Sequence, residues 1–193
     1  MSETERDESA PVGVVLDYLA HGRTEDDRPQ YQKQPLVYAM GVEDFALLEC
    51  VVTDDADISI GDRVDLEAAD DVEVINRIEY DDLPSGAASE LEYAVEDLVA
   101  ADEERFVDFY NEAQPITLRL HQLNLLPGIG KKLRNNILDE RKRKPFESFE
   151  DLEERVGGLH NPKEVLVDRI QEELRDDDLK YRIFVRRSEQ GDQ

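Results

Sequence analysis

Short apolar runs, in which apolar and polar residues alternate, occupy much of residues 11–82. Clusters rich in Gly, Pro and Asp separate these runs, a combination that is typical of short strands joined by turns. The pattern predicts strands at Val12–Ala20, Leu36–Met40, Phe45–Val52 and Val72–Tyr80. A further segment, Ile58–Leu66, is predicted to be a turn at Gly61 and Asp62 followed by a strand. The second and third strands are expected to form a β-hairpin, since only four residues separate them.

Five short strands within about 70 residues fit a small barrel. We therefore predict an OB-like β-barrel over residues 11–82, with an SH3-like barrel as the alternative. Tyr38 and Phe45 are secondary candidates for stacking on nucleic-acid bases, and for both residues a place in the core is the alternative. This region holds few basic residues, so the sequence leaves a nucleic-acid role for the barrel open.

The apolar period lengthens to that of helices beyond residue 82. Residues 83–114 predict two connecting helices, and residues 115–178 predict a helical domain. Within that domain, residues 116–143 are expected to form two helices joined by a hairpin at Pro127–Gly130. Alternation at residues 179–187 predicts a C-terminal strand, so the predicted fold class is α+β.

One face of the predicted C-terminal strand is basic. Arg182, Phe184 and Arg186 share that face and are secondary candidates for a binding surface. Residues 1–10 and 188–193 are polar, and we expect both segments to be disordered tails.

The predicted hairpin has the chemistry of an anion site. Pro127 cannot continue a helix because it lacks an N–H, and Gly128 and Gly130 permit backbone angles that are closed to other residues. The first N–H groups of the next helix lack intrahelical partners and carry the positive end of its dipole. Lys131 and Lys132 lie in that first turn, where cations are mildly unfavourable for the helix itself. We expect these groups to hold a phosphate.

The segment Leu126–Lys132, Leu-Pro-Gly-Ile-Gly-Lys-Lys, resembles the helix-hairpin-helix motif of proteins that bind nucleic acid without sequence specificity. In that motif the hairpin amides hold backbone phosphates. The resemblance, together with the basic residues nearby, gives the candidate nucleic-acid-binding residues Pro127, Gly128, Ile129, Gly130, Lys131, Lys132, Arg134, Arg141, Lys142, Arg143 and Lys144. A helix–helix corner that binds nothing is the alternative.

A second hairpin usually follows the first in proteins of this type. Ser148 and Asn161 predict the starts of two further helices, and Val156–Leu159 lies between them. That segment, Val-Gly-Gly-Leu, lacks the Pro-Gly-Ile-Gly pattern. The sequence therefore leaves a second phosphate-binding hairpin open.

Charge is distributed unevenly along a chain whose net charge is −25. Asp and Glu number 48 and only 7 of the 23 basic residues are Lys, which predicts a protein from a cytoplasm of very high salt, such as that of halophilic archaea. Residues 1–114 hold 32 acidic and 7 basic side chains, whereas residues 115–146 hold 2 acidic and 8 basic ones. A basic stretch on an acidic protein is the electrostatic footprint of a polyanion site.

The remaining composition excludes several functional classes. Cys50 is the single cysteine and the three histidines lack ligand spacing, so we expect no metal and no cofactor. Catalytic sets and nucleotide-binding glycine loops are missing from the sequence, so we do not expect an enzyme. No apolar run is long enough to span a bilayer and no secretory signal is visible, so a cytoplasmic location without a membrane partner is expected.

Over residues 11–187 the chain resembles an archaeal family, domain of unknown function 655 (DUF655), which is predicted to bind RNA. The resemblance rests mainly on three segments, Phe45–Glu49, Leu125–Lys132 and Arg141–Leu152. The resemblance implies an OB-like domain joined to a helix-hairpin-helix, no known catalysis, and a link to RNA, ribosomal or transcription components. We therefore expect a non-catalytic nucleic-acid-binding protein, with RNA favoured over DNA. An adaptor whose acidic N-terminal domain docks on a basic ribosomal or polymerase partner, and a DNA-binding protein, are the alternatives.

Overall fold

The computed structural model describes residues 11–186, so the predicted tails at 1–10 and 188–193 lie outside the described residues. Two compact units divide these residues. Residues 11–91 with Arg186 form the sheet unit, and residues 92–185 form the helical unit. The mixed α+β class is confirmed, because the first unit is built on an antiparallel sheet and the second on helices.

Five strands form one antiparallel sheet in the order β4-β1-β2-β3-β5. Their bounds are Val12–Leu19 (β1), Leu36–Gly41 (β2), Leu47–Val52 (β3), Arg63–Asp65 (β4) and Val72–Ile78 (β5). All five predicted strands are present, and β4 follows the turn that the sequence predicts at Gly61 and Asp62. Within the described residues β4 and β5 do not pair, so the sheet is open.

The short β4 has a local cause. Residues before it form a turn, in which Ser59 N donates to Asp62 Oδ2 at 2.8 Å and Gly61 N donates to Val15 O at 2.8 Å. These bonds use the backbone groups that a longer ladder would need. Beside this turn, β1 carries an irregularity between Val15 and Asp17. A bulge of this kind bends and twists a strand, which curves the sheet.

One core of the sheet unit packs on one face of the sheet, and β2 is buried on both faces, because all six of its residues are buried. Alternate residues of the strands point into this core, as the period of a half-buried strand requires. The buried members are Val15, Val37, Ala39, Cys50, Val52, Leu66 and Val72. Cys50 packs as an apolar side chain, and burial raises the pKa of its thiol to about 11, so it is not a reactive thiolate at neutral pH.

Five α-helices follow the sheet: Ser85–Ala101 (α1), Glu103–Glu112 (α2), Lys131–Arg143 (α3), Phe149–Arg155 (α4) and Pro162–Arg175 (α5). The boundary between the two units falls inside α1, after Leu91. Ser148 begins α4 as predicted, since its Oγ accepts from Asp151 N at 3.0 Å. Pro162 occupies the first position of α5, where a missing N–H costs nothing.

The helix expected before the hairpin is not an α-helix, so this prediction is wrong. Residues 116–120 form a turn closed by the bridge between Pro115 and His121, and only a short 3-10 turn, Gln122–Leu125, precedes the hairpin. Thr117 Oγ1 accepts from Leu120 N at 3.0 Å, and Ile116 N donates to Leu120 O at 2.8 Å. Such local bonds offer the backbone an alternative to a helix.

The predicted C-terminal strand is also wrong within the described residues, and Arg187 lies outside them. Three successive backbone N–H groups, those of Ile183, Phe184 and Val185, donate to the carboxylate of Glu173 on α5. The Phe184 bond measures 2.9 Å and the Val185 bond 3.2 Å. The amides that a sheet ladder would use are therefore held by one fully buried side chain.

Candidate nucleic-acid interface

Two buried aliphatic side chains anchor the hairpin that precedes α3. Leu126 is 2% exposed and Ile129 is 5% exposed, and Ile129 N donates to Leu126 O at 3.2 Å. Between them Gly128 adopts φ +79, in the left-handed region that favours glycine. Pro127 and Gly130 are exposed. The anchors therefore hold the turn against the helical unit while its tip faces solvent.

Open backbone amides lie at the start of α3. Gly130 is the N-cap and provides no side-chain cap, and within residues 11–186 the amides of Gly130, Lys131 and Lys132 donate to no acceptor. A Cβ built at Gly128 or Gly130 would meet no atom within 4 Å. An anion can therefore approach these amides directly, at the positive end of the α3 dipole.

Asn124 fixes the hairpin from behind. Its Nδ2 donates to Ile129 O at 3.3 Å, and its Oδ1 accepts from His121 N at 3.1 Å and from Arg134 Nη1 at 3.0 Å. His121 Nδ1 in turn accepts from Leu123 N at 3.1 Å. Burial, with the charges of two nearby guanidinium groups, lowers the pKa of His121, which keeps this nitrogen an acceptor.

Sequence reasoning missed these supporting residues. It gave no role to His121, whose side chain is buried. It also gave no role to Arg169 of α5, a buried residue whose Nη1 donates to Leu125 O at 3.2 Å, immediately before the hairpin. The spacing of His121 and Asn124 around a short turn is the signal of a reciprocal cap. No local signal marks Arg169, because its partner lies far away in sequence.

The predicted cations fall into three groups. The first group is exposed and forms no ion pair within the described residues; it consists of Lys131, Lys132 and Lys142. The second group is exposed but paired with acidic neighbours, since Arg143 lies 3.2 Å from Glu140 and Lys144 lies 3.2 Å from Glu147. The first group therefore supplies the unneutralised positive charge of this surface.

The third group, Arg134 and Arg141, is partly buried and has structural partners. Arg134 bonds to Asn124, as described above. Arg141 Nη1 donates to Tyr110 O at 3.1 Å and to Ala113 O at 3.0 Å, which satisfies carbonyls at the end of α2. Burial lowers the pKa of Arg141. Both guanidinium groups therefore have structural partners that hold the helical unit together.

Tyr38 and Phe45 are not available as stacking platforms. Phe45 is fully buried, and Tyr38 is buried with its hydroxyl donating to Glu49 Oε2 at 3.0 Å. Glu49 also accepts from Arg23 Nε at 3.0 Å and from Asn76 Nδ2 at 3.3 Å. Burial raises the pKa of Glu49, but these hydrogen bonds outweigh it and hold the pKa below its usual range. The alternative given for both aromatics, a place in the interior, is correct.

The C-terminal candidates do not form a basic face either. Arg182 is mostly buried, and its guanidinium donates to Glu173 O at 3.0 Å and to Asp176 O at 2.8 Å. Phe184 packs its ring against that of Phe109, with ring centroids 5.1 Å apart. Arg186 is exposed and belongs to the sheet unit.

A second hairpin has the same backbone as the first. Leu159 N donates to Val156 O at 3.2 Å, both side chains are buried, and Gly158 adopts φ +89. These features repeat the turn around Gly128 position by position. The helix that follows differs, because α5 begins with Pro162, which has no N–H to offer. The second turn, which the sequence alone did not decide, is therefore present, but the helix after it does not offer the open amides found at the start of α3.

Two negative findings apply to the described residues. Among residues 11–186, no three His, Cys, Asp or Glu side chains are grouped so that they could hold a metal ion. In the same part of the chain, no helix is long and apolar enough to cross a membrane.

Comparison with known proteins places the chain among archaeal relatives. A family model described as "Protein of unknown function (DUF655)" matches residues 9–186. An uncharacterised protein of Methanocaldococcus jannaschii is 43% identical over 176 residues, which cover 89% of this chain and 78% of that protein. A crystal structure from Archaeoglobus fulgidus, described with the same family, matches with a TM-score of 0.82 and 38% identity over 91% of this chain and 99% of that one.

Proposed function

The chain belongs to DUF655, a family of proteins of unknown function, and we propose that this member is a non-catalytic nucleic-acid-binding protein that holds backbone phosphates at the hairpin before α3. RNA is the preferred polymer in this proposal, and the working environment is a cytoplasm of high salt. A link to translation or ribosome biogenesis is part of the same proposal.

One observation carries it: unsatisfied amides and unpaired lysines meet at the start of α3. The aligned peptide dipoles give a helix N-terminus about half a positive charge, and a cation in the first turn costs the helix about 0.3–1 kcal/mol. Lys131 and Lys132 therefore do not stabilise α3, and neither has an ion pair within the described residues. An approaching phosphate would satisfy the amides and neutralise the lysines at once.

Two features of the fold support a helix-hairpin-helix unit and an OB-like domain. The repeated backbone of the turns at Gly128 and Gly158 supports a helix-hairpin-helix unit with two hairpins. The open five-stranded antiparallel sheet, in the order β4-β1-β2-β3-β5, supports an OB-like domain, because OB barrels are often only partly closed. We propose both assignments, with the interface on the helical unit, since the buried Tyr38 and Phe45 leave the sheet unit without the predicted platforms.

RNA is favoured over DNA because the family resemblance implies it. Hairpin amides and lysines contact phosphate and read no base, so they discriminate between the two polymers only through backbone shape. A DNA-binding protein is the alternative, and competition between RNA and DNA for the chain would distinguish the two.

A protein adaptor is the second candidate, and the charge of the sheet unit favours it. Residues 11–91 hold 20 acidic and 5 basic side chains. Such a surface attracts basic partners such as ribosomal proteins. The adaptor predicts that a basic protein, and no nucleic acid, is bound by the intact chain.

The test measures binding of a fluorescently labelled single-stranded RNA to the full chain. Lys131→Glu/Lys132→Glu reverses both exposed charges and should weaken binding at least tenfold. Arg175→Glu/Lys180→Glu is the matched control, since it reverses two exposed charges in the same unit, away from both hairpins, and it should stay within about twofold.

A second variant tests access to the amides. Gly130 has φ −89, so Gly130→Val fits the backbone and should leave the fold intact while its side chain blocks the approach of phosphate. Circular dichroism checks the fold of each variant. Wild-type affinity of the double Glu variant would place the anion site elsewhere, and failure of the wild-type chain to bind either RNA or DNA would leave the adaptor.

A further inference from the structure

A concave groove in the helical unit shares no residue with the hairpin before α3. It has a volume of about 910 Å³ and lies between α1, α4 and α5. Its apolar lining comes from Phe149, Pro162 and Val167, which are buried, and from Tyr93, which is 64% exposed. A large aromatic side chain thus stands in solvent beside a groove with an apolar base.

Carboxylates dominate the rest of the lining. The groove has seven acidic side chains and one basic one. Glu92 pairs with Arg175, and Glu96 lies 3.9 Å from Lys163. The other five form no ion pair within the described residues; they are Glu150, Glu153, Glu154, Glu164 and Asp168. The groove therefore carries negative charge that residues 11–186 leave uncompensated.

The two hairpins lie in segments of equal length and opposite charge. Residues 115–146 hold 8 basic and 2 acidic side chains, whereas residues 147–178 hold 4 basic and 12 acidic ones. The groove is built largely from the second segment. Carboxylates at this density oppose a phosphate, so the occupant of the groove is not a nucleic acid.

We propose that the groove docks a basic, amphipathic helix of a partner protein. Apolar side chains of the helix would cover Phe149 and Val167, and its Lys and Arg side chains would pair with the free carboxylates. Tyr93 is exposed, and the face of an aromatic ring attracts a cation. Charge complementarity selects this occupant: the groove offers an apolar base within an acidic lining, and a basic amphipathic helix has the matching pattern.

The probe is a labelled helical peptide of about 18 residues, with Leu on one face and Lys and Arg on the flanks. The groove variant, Glu150→Gln/Glu154→Gln/Asp168→Asn, removes three charges and keeps the side-chain shapes. Its matched control, Glu104→Gln/Asp108→Asn/Glu112→Gln, makes the same replacements on exposed positions of α2 that form no ion pair in the described part of the chain. Glu150 and Glu104 each occupy the second position of their helix, so the effects on the helix dipoles also match.

We expect the groove variant to bind the peptide about tenfold more weakly and the α2 control to stay within about twofold of wild type, at a salt concentration where all three are folded. Tyr93→Ala should weaken binding several-fold. The affinity of the groove variant for RNA should equal that of the wild type. The peptide assay therefore tests this proposal, and the RNA assay tests the proposed function independently of it.

Three results would overturn the proposal. Equal weakening in the groove variant and the α2 control would assign the attraction to overall charge. Unchanged peptide affinity in both the groove variant and Tyr93→Ala would place the peptide elsewhere. Self-association of the wild-type chain that is lost in the groove variant alone, measured by sedimentation, would make a second copy of the chain the occupant.

Discussion

Salt should weaken nucleic-acid binding by this chain far less than it weakens binding by ordinary basic proteins. Three of the predicted contact residues, Lys131, Lys132 and Lys142 on α3, are exposed and unpaired among the described residues. Each phosphate neutralised on a single strand adds about −0.7 to the slope of log K against log salt, so three contacts predict a slope of about −2. A tenfold rise in salt then costs about 100-fold in affinity, and measurable binding persists in molar potassium chloride.

The assay is a titration of labelled single-stranded RNA across salt, with circular dichroism in parallel, because a chain with a net charge of −25 needs counterions to stay folded. Lys131→Ala/Lys132→Ala should reduce the slope to about −0.7, since one contact remains. Arg143→Ala/Lys144→Ala should leave it near −2, because both residues already pair with acidic neighbours.

Two outcomes would refute this reasoning while the protein stays folded. A slope of about −5 or steeper would require more phosphate contacts than three free cations can make. A wild-type slope that is unchanged in Lys131→Ala/Lys132→Ala would show that the lysines beside the hairpin do not contact phosphate.

Three further predictions concern stability, each measured by denaturant unfolding. Gly128→Ala should lower the free energy of unfolding by about 1–2 kcal/mol because φ is +79, whereas Gly130→Ala should change it little because φ is −89; equal effects would contradict this. Glu173→Ala should lower the free energy of unfolding by about 3–5 kcal/mol, because it leaves three amides without their acceptor and Arg169 Nε, 3.6 Å from the Glu173 carboxylate, without its ion pair. A loss below about 1 kcal/mol would refute that role of Glu173. Burial lowers the pKa of His121 below its usual 6.5, so stability should be full above that pH and fall as pH drops toward the folded-state pKa; His121→Asn should remove this dependence.

The sequence predicted what depends on neighbouring residues. The hairpin before α3 was found because Pro127, Gly128 and Gly130 restrict the backbone locally, and the start of α4 was found because Ser148 caps it through a residue three positions away. The strands were found because short apolar or alternating runs between turn residues indicate strands from local sequence alone.

What the sequence could not predict depends on distant partners. Nothing in the run Arg141–Lys144 distinguishes the guanidinium that binds α2 carbonyls from the lysine that stays free. The alternation at residues 179–186 indicates a strand, but the amides are taken by Glu173, and no local pattern predicts that competition. The helix expected around Ile116 failed for a subtler reason, because hydrogen bonds to Thr117 Oγ1 favour a turn there.

The Glu173 carboxylate also determines how the end of the helical unit moves. One buried carboxylate accepts from the amides of Ile183, Phe184 and Val185. Exposing any one of these amides to solvent therefore disturbs the acceptor that the other two share. Local opening of this segment is then a single concerted event, and the three amides should exchange their hydrogens at a common rate. A side chain on α5 thus makes an irregular stretch of backbone behave kinetically like an element of regular structure.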